Sequence, residues 1–502
     1  MVEIELKFQI PAASAHAVQR AVATSTAQTT RLRAQYFDTP DRRLAAAGMA
    51  LRLRQEDERW VQTLKGRGDG HLHRLEHEVV IDTQGGEPVL DITRHVGTPA
   101  GAALAATLAG DGDTLRVMFE TDVQRTHRII RSAGARIELA LDIGEIRAGA
   151  ARLPLHEIEF ELKQGPLAGL IALSSRWVER HALWLDVRSK AERGDRLARG
   201  VKVNAATLAE PPSLRADMSA DAALRAMVGA CLAQILPNAA DLAAGVGEAE
   251  HLHQARVGLR RLRSALRVFG EGSEVLDAAW QPALAELFSR LGSARDRDVL
   301  AGTLLPALRA AGAPELFEPL PNAPEDADGT GADDTVGETL RAPSCGLLLL
   351  ELMAFAHDAD QPADGGDQPS AMPLTEHAPR LVERLHRQLR KDAASFLTCD
   401  DSRRHRTRKR LKRLRYAVEL VSSMCRGKAV KRYLARLRPA QEALGLYNDL
   451  TVAEALFRRR LEQDPRAWFA LGWLVAQRQK LLADAAEALA ELPHSARIWR
   501  HD

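Results

Sequence analysis

Two hydrophobic periods divide this chain. Through roughly the first 200 residues, short runs alternate apolar with charged positions: Glu3-Ile4-Glu5-Leu6-Lys7-Phe8, Leu51-Arg52-Leu53-Arg54, Glu76-His77-Glu78-Val79, Glu138-Leu139-Ala140-Leu141-Asp142 and Glu157-Ile158-Glu159-Phe160-Glu161-Leu162-Lys163. A period of two predicts β-strands with one packed face. One such strand would suit a solvent-facing sheet equally well. Here the polar partners are ionised on strand after strand, and acids and bases form separate groups, which fits a closed barrel with a polar-lined interior. Such an interior must be hydrated or filled by a charged ligand, because unpaired buried charge is costly.

From about Ala220 the period becomes helical. His253, Arg256, Arg260, Arg263 and Arg267 recur three and four residues apart, a charged stripe along one helix face, while Leu259, Leu262, Leu266 and Phe269 form the packed stripe. A second segment repeats both, with His405, Arg408, Lys412 and Arg415 on the charged face and Leu411, Leu414, Val418 and Val421 on the apolar one. Glu419 breaks the match, standing where Arg267 predicts a base. Further on, Leu291-Gly292 with Arg295-Asp296 aligns with Leu444-Gly445 and Asn448-Asp449. Two copies of one helical unit imply a bundle with an internal pseudo-two-fold repeat.

Between these regions, 201–219 carries Pro211 and Pro212 without periodicity and reads as a linker. The predicted division is therefore a β-tunnel over 1–200, a linker over 201–219 and an all-α region over 220–502, an α+β multidomain chain. The Pro/Gly/Asp-rich stretches 319–343 and 359–373 are poor candidates for packed structure and are expected to form an acidic loop insertion at about 321–373.

Composition adds limits. A length of 502 residues calls for two or more cores, and an aromatic content of 4% favours helices for much of the chain. Cys231, Cys345, Cys399 and Cys425 form no CxxC pair, which argues against structural zinc or a disulfide framework. The opening MVEIELKFQI lacks a signal-peptide pattern, and the longest apolar run, near 347–350, is too short to span a bilayer. A soluble cytoplasmic protein is expected. The net charge is only +2, but 321–370 is almost purely acidic and 403–415 almost continuously basic. The basic stripes lack interleaved aromatic residues, which disfavours nucleic acid as partner.

Glu3, Glu5 and Lys7 leave the same face of a strand roughly 6 to 7 Å apart. Carboxylates that close repel unless a proton or cation intervenes, and Mg²⁺ or Mn²⁺ prefers such oxygen ligands. Asp142, Glu157, Glu159 and Glu138 are candidates to complete the cluster from other strands. The cations Arg52, Arg54, Lys65, Arg74, Arg125 and Lys190 exceed what those carboxylates need, and Arg forks and Lys points suit successive phosphate groups. On the helices, like charges at this spacing repel by a few tenths of a kcal/mol per pair. The alternative of a solvated face paired with acids of neighbouring helices is open; the repetition favours a basic groove for a long polyanion.

The series ExExK at 3–7, Tyr36-Phe37-Asp38-Thr39-Pro40, Gly48 to Arg54, Thr63-Leu64-Lys65-Gly66, Glu138 to Gly144, Glu157 to Leu162 and Ser189-Lys190-Ala191-Glu192-Arg193-Gly194 resembles the CYTH, or triphosphate tunnel metalloenzyme, pattern across nearly all of residues 1–200. The resemblance implies an eight-stranded antiparallel tunnel that binds a triphosphate group with Mg²⁺ or Mn²⁺. It further implies Glu3, Glu5, Asp142, Glu157 and Glu159 as metal ligands and Lys7, Arg52, Arg54, Lys65, Arg125 and Lys190 as phosphate ligands. Glu3, Glu5 and Lys7 are the catalytic candidates, and Lys7, with its pKa lowered by neighbouring cations, is expected to orient or deprotonate the attacking water. The helical repeats resemble the CHAD domain over about 220–492, which implies binding of inorganic polyphosphate through His253, Arg256, Arg260, Arg263, His405, Arg408, Lys412 and Arg415. The functional expectation is a metal-dependent inorganic triphosphatase that splits tripolyphosphate into pyrophosphate and phosphate, cytoplasmic or at polyphosphate granules, with a module for long-chain polyphosphate. The alternatives are a non-enzymatic granule-binding protein and an adenylyl cyclase of the same fold.

Overall fold

A computed structural model describes residues 2–68, 73–82, 88–108, 115–271, 273, 276–292, 300–314, 332–357, 373–462 and 464–492. The chain forms two compact units, neither continuous in sequence. The first comprises 1–207, 235–251 and 337–357; the second comprises 208–234, 252–336 and 358–502.

The alternating runs of the first unit form strands β1 (Val2–Gln9), β2 (Gln28–Asp38), β3 (Ala50–Glu56), β4 (Arg59–Arg67), β5 (His73–Ile81), β6 (Arg116–Ser132), β7 (Ala135–Ala148) and β8 (Ala151–Gln164). Their order is β5-β4-β3-β2-β6-β7-β8-β1, and β1 also pairs with β5, so the eight strands close into the expected antiparallel ring. A two-residue strand, β9 (Trp184–Leu185), adds to β1.

Closure sorts the side chains into two sets. Leu6, Phe8, Leu51, Leu64, Ile137, Leu139 and Phe160 face outward into apolar packing and are fully buried. Phe8, Phe160 and Trp177 make edge-to-face contacts at 5.6 and 5.7 Å, docking the helix Leu167–His181 on the outside of the ring. The helices Arg43–Ala46 and Pro99–Leu108 cover a second outer patch around Leu44, Met49, Leu51 and Leu64. Asp38 explains the Tyr-Phe-Asp-Thr-Pro run: buried, it accepts hydrogen bonds from the backbone N–H of Thr39, Leu44 and Ala45 at 2.7 to 2.9 Å and so caps the short helix after β2.

The inward set is charged except at one end. There Ala34, Tyr36, Phe119, Val123, Ile146 and Leu155 form an apolar cluster against Ala191 and Leu197 of the helix Lys190–Ala198. Ser189 caps that helix by accepting from Glu192 N–H at 3.0 Å. Gly194 is required by close packing, because a Cβ there would lie 2.1 Å from the Phe119 ring.

The second unit is helical and contains both repeats, on Ala249–Phe269 and Asp401–Leu420. The expected apolar stripes are buried, with Leu259, Leu262, Leu411 and Leu414 all at 1% exposure or less. A further core joins Gly427–Arg460 to Ala467–Ala490 through Leu450, Phe457, Ala467, Leu471 and Leu474. The helix Ala220–Ala243 is long and apolar enough to cross a membrane by length and composition, and 72% of its apolar window is buried inside the protein.

The acidic loop insertion expected at about 321–373 is corrected in its middle. Residues Ala332–Arg341 and Pro343–His357 are helices, and Cys345, Leu348 to Leu350, Leu352, Met353 and Phe355 of the second are buried. A run of four leucines among small residues buries enough apolar surface to order the segment despite its acidic flanks. Most of the two Pro/Gly/Asp-rich stretches themselves lies outside the described residues.

Candidate functional site

The ring's register sets the inward charges in rungs. Glu5 stands opposite Glu161, which stands opposite Glu138; Lys7 stands opposite Glu159; Gln9 stands opposite Glu157, followed by Asp142 and Arg125. Three carboxylates, Asp142, Glu157 and Glu159, bring one oxygen each to within 4.8 Å of one another, and the first two are fully buried. Lys190 sits at their focus, its Nζ 2.7 Å from Asp142, 2.5 Å from Glu157 and 2.8 Å from Glu159. Arg125 forks onto Asp142 at 2.6 to 2.7 Å and reaches Glu159 at 2.5 Å, and Arg193 donates to Glu157. Burial pushes the Glu159 carboxyl up, but Lys190, Arg125 and Lys7 together hold it well below its ordinary range.

Glu3 lies in a different group. Lys65 donates to Glu3 at 2.6 Å and lies 3.2 Å from Glu76. Against the effect of burial, Lys65 and a hydrogen bond from Glu76 bring Glu3 down to about 2. Glu76 goes the other way, to about 7, because burial outweighs the Lys65 ammonium and Glu3 adds repulsion. The two carboxyls thus titrate as a pair, Glu3 ionising first and Glu76 held up by burial and by the charge of Glu3. Glu5 interacts with the same lysine, whose ammonium is stabilised, against burial, by Glu5, Glu3 and Glu76. Of the five metal ligands implied by the sequence, the structure therefore brings Asp142, Glu157 and Glu159 together and places Glu3 and Glu5 around Lys65.

On the opposite staves, Arg52 donates to Tyr36 Oη at 3.2 Å and lies 3.9 Å from Glu78, while Arg54 contacts Glu56 at 2.5 Å and Glu78 at 3.2 Å. Tyr36 stacks on Phe119 at 4.5 Å. Burial raises its phenol, but Arg52, Lys190 and Arg54 hold it below its ordinary value. Lys7 is 6% exposed, and its charge acts on Glu159 and Asp186.

Sequence reasoning passed over Arg193, Asp186, Gln9 and Tyr36. Arg193 carried a signal, lying three residues beyond Lys190 on one helix face inside the quoted motif. Asp186 carried none. It accepts from Gln9 at 2.9 Å and from Arg188 through two 2.9 Å bonds, and its carboxyl, raised by burial but lowered more by Arg188 and then by Lys7 and Arg193, falls to about 2.

In the second unit, Arg256, Arg260 and Arg263 fan over the single ring of Phe288 at 4.3, 5.8 and 5.8 Å. Arg256 is buried, donating to Phe288 O at 3.0 Å, where the sequence predicts an open stripe; the absent side chain of Gly292 leaves it room, since a Cβ there would lie 2.9 Å from the guanidinium. The Nε atoms of Arg260 and Arg263 are buried without a hydrogen bond among the described residues. Partial burial, and then the charges of Arg267 and Arg410, hold the Arg413 guanidinium below its ordinary value. Arg415 bonds Glu419 at 2.7 Å and Gln441 at 2.8 Å, which accounts for the acid at that mismatch. His405 is surface-exposed, its imidazole held below its ordinary value by partial burial, Lys409 and Arg408. His253, Arg408 and Lys412 lie half-buried on the same two helices. Arg295 and Asp296 lie outside the described residues.

A closed strand ring whose interior is ionic, with an acidic focus ringed by arginines and lysines, defines a tunnel for a charged ligand. A family model described as the CYTH domain matches residues 1–193, and one described as the CHAD domain matches residues 226–458. The chain carries a CYTH domain followed by a CHAD domain. An inorganic triphosphatase of Haemophilus influenzae is 33% identical over 165 residues, covering 32% of this chain and 44% of that protein, so the match spans less than half of the relative. Among solved structures, the CHAD domain of the plant Ricinus communis is 33% identical, covering 59% of this chain and 99% of that one, with a TM-score of 0.49. A Hippeastrum protein described as revealing a dominant triphosphatase activity is 18% identical, covering 40% and 96%, with a TM-score of 0.28.

Proposed function

We propose that this protein is a metal-dependent inorganic triphosphatase that hydrolyses tripolyphosphate to pyrophosphate and phosphate, and that its helical part binds inorganic polyphosphate. The observation that carries the reading is the two-sided tunnel: three clustered carboxylates face a set of arginines and lysines that are held in place by internal ion pairs. The Haemophilus relative supports the reaction class.

The carboxylate cluster fits a divalent ion. Its donors are hard oxygens, one from each carboxylate lies within 4.8 Å of the others, and Glu157 Oε1, 2.5 Å from Lys190 Nζ, lacks the geometry of a hydrogen bond. Asp142, Glu157 and Glu159 would hold Mg²⁺ or Mn²⁺, with Glu3 and Glu5 as further candidates. Such an ion, when bound, neutralises phosphate charge and polarises a phosphorus–oxygen bond.

The chain's own residues do the rest. Arg52, Arg54, Lys65, Arg125 and Lys190 exchange carboxylate partners for phosphate oxygens and hold the phosphate chain in one orientation. Their charge lies where negative charge builds up on the leaving pyrophosphate, so they stabilise the transition state for in-line attack by water. Lys7, beside Glu159, orients that water. In the second unit Arg260, Arg263, His405, Arg408 and Lys412 take up polyphosphate, with His253 donating to a phosphate oxygen. We place the protein in the cytoplasm, at polyphosphate granules.

The test is product analysis. Purified protein with Mg²⁺ or Mn²⁺ is given tripolyphosphate and, separately, ATP. Equal phosphate and pyrophosphate from tripolyphosphate, without cyclic AMP from ATP, is the expected result. Cyclic AMP as the main product, or no turnover with either metal, overturns the reading.

A further inference from the structure

The first unit takes in 235–251, a stretch that belongs to the CHAD match rather than to the CYTH match. Within it Asp241, 3% exposed, lies near the end of the helix Ala220–Ala243. Its carboxylate accepts from Arg196 at 2.5 and 3.1 Å and from Arg188 at 3.4 Å. Its carbonyl accepts from the N–H groups of Val246 and Gly247 at 3.0 Å, so the backbone that presents it is itself pinned. Both arginines lead to the tunnel. Arg188 forks onto Asp186, which accepts from Gln9 and whose N–H donates to Lys7 O at 3.0 Å; Gln9 also reaches Glu157 at 3.4 Å. Arg196 rides on the helix that carries Lys190 and Arg193 to the three carboxylates.

We infer that Asp241 is a positioning residue for the tunnel: by anchoring Arg188 and Arg196 it fixes Asp186 behind Lys7 and Gln9 and sets the depth at which the helix Lys190–Ala198 delivers Lys190. Arg188 and Arg196 have side chains 9% and 7% exposed, so removal of the Asp241 charge leaves two buried guanidiniums sharing Asp186 and the more exposed Glu192. The expected response is a shift of Arg196 towards Glu192 and a displacement of Arg188 together with the Asp186 carboxylate on which it forks. A CYTH domain cut at the end of its family match lacks this anchor.

The inference rests on the triphosphatase reading for its kinetic arm only. In the full-length protein, Asp241→Asn keeps the shape and loses the charge. It should lower kcat for tripolyphosphate at least tenfold with KM within about threefold, and speed amide exchange in peptides covering 184–198 at least tenfold, while peptides covering 401–460 stay unchanged. Glu192→Gln, which removes the exposed partner of Arg196, should leave kcat within about twofold. If Asp241→Asn does not fold, Arg188→Lys takes its place with the same expected pattern. Unchanged exchange over 184–198, or faster exchange with wild-type kcat, overturns the inference. A wild type that turns over no tripolyphosphate sinks the proposed function instead, and the exchange of 184–198 then decides whether Asp241 anchors this segment.

Discussion

The lumen of the strand ring and the basic face of the helical repeats hold positive charge in opposite ways. In the lumen nearly every cation touches a carboxylate: Lys65 on Glu3, Arg125 on Asp142, Lys190 on three acids. On the helices Arg256, Arg260 and Arg263 crowd over one aromatic ring, and the charges of Arg267 and Arg410 add to the partial burial of Arg413 in disfavouring its positive form. The first arrangement is paired and fixed before any ligand arrives, so binding is an exchange of partners and can be selective in position. The second stores repulsion that any polyanion relieves, so it suits a long ligand without a fixed register.

The strongest way to break this contrast is to unbalance the lumen. Glu159→Gln should cut kcat/KM for tripolyphosphate with Mn²⁺ roughly 1000-fold, about 4 kcal/mol of transition-state stabilisation, while polyphosphate binding by the helical unit, measured by calorimetry, stays the same. Next, Lys7→Gln should lower kcat roughly 100-fold and change the shape of the pH–rate profile; a profile of unaltered shape removes Lys7 from any proton-handling or water-orienting role. On the helices, Arg260→Ala with Arg263→Ala should weaken polyphosphate binding roughly tenfold, about 1.4 kcal/mol, with tripolyphosphate turnover intact. Arg415→Ala should weaken it only about twofold, because that guanidinium is already engaged by Glu419 and Gln441.

The smallest effect concerns Glu76. Its folded pKa of about 7 lies above the ordinary 4.5, so the folded state binds this proton more tightly, and the stability it contributes is complete below pH 4.5 and lost as pH rises through 7. Thermal unfolding should therefore show Glu76→Gln gaining about 2 °C on the wild type at pH 8 relative to pH 5. A gain equal at both values would mean that the Glu76 carboxyl is not raised in the folded protein.

Alternation made the ring legible, because inward and outward positions differ in charge: Glu3, Glu5 and Lys7 against Ile4, Leu6 and Phe8. It also placed Asp142 and Glu157 on the same side. It could not say which carboxylates meet, since Glu3 and Glu159 lie on strands whose neighbours are set by closure. Nor could it find Asp186, Tyr36 or Phe288, whose roles come from partners distant in sequence. The four leucines at 347–350 were visible, but the acidic composition around them hid a buried helix. On the repeats, spacing found the charged stripe and missed that Gly292 leaves room for Arg256 beneath the surface, where it donates to Phe288 O.

The stave that carries Glu3, Glu5 and Lys7 is also the one that shuts the ring, pairing with β8 on one side and β5 on the other. Residues 2–9 are the first of the tunnel to leave the ribosome, yet their partners around 158–161 and 73–75 come much later. The lumen cannot be assembled in the order of synthesis, and the long loop closure this requires places the step among the slow ones in folding. Under the proposed function, recovery of tripolyphosphate turnover after dilution from denaturant would then follow the last stave into place, so that the assay for that reaction would also time the completion of the barrel.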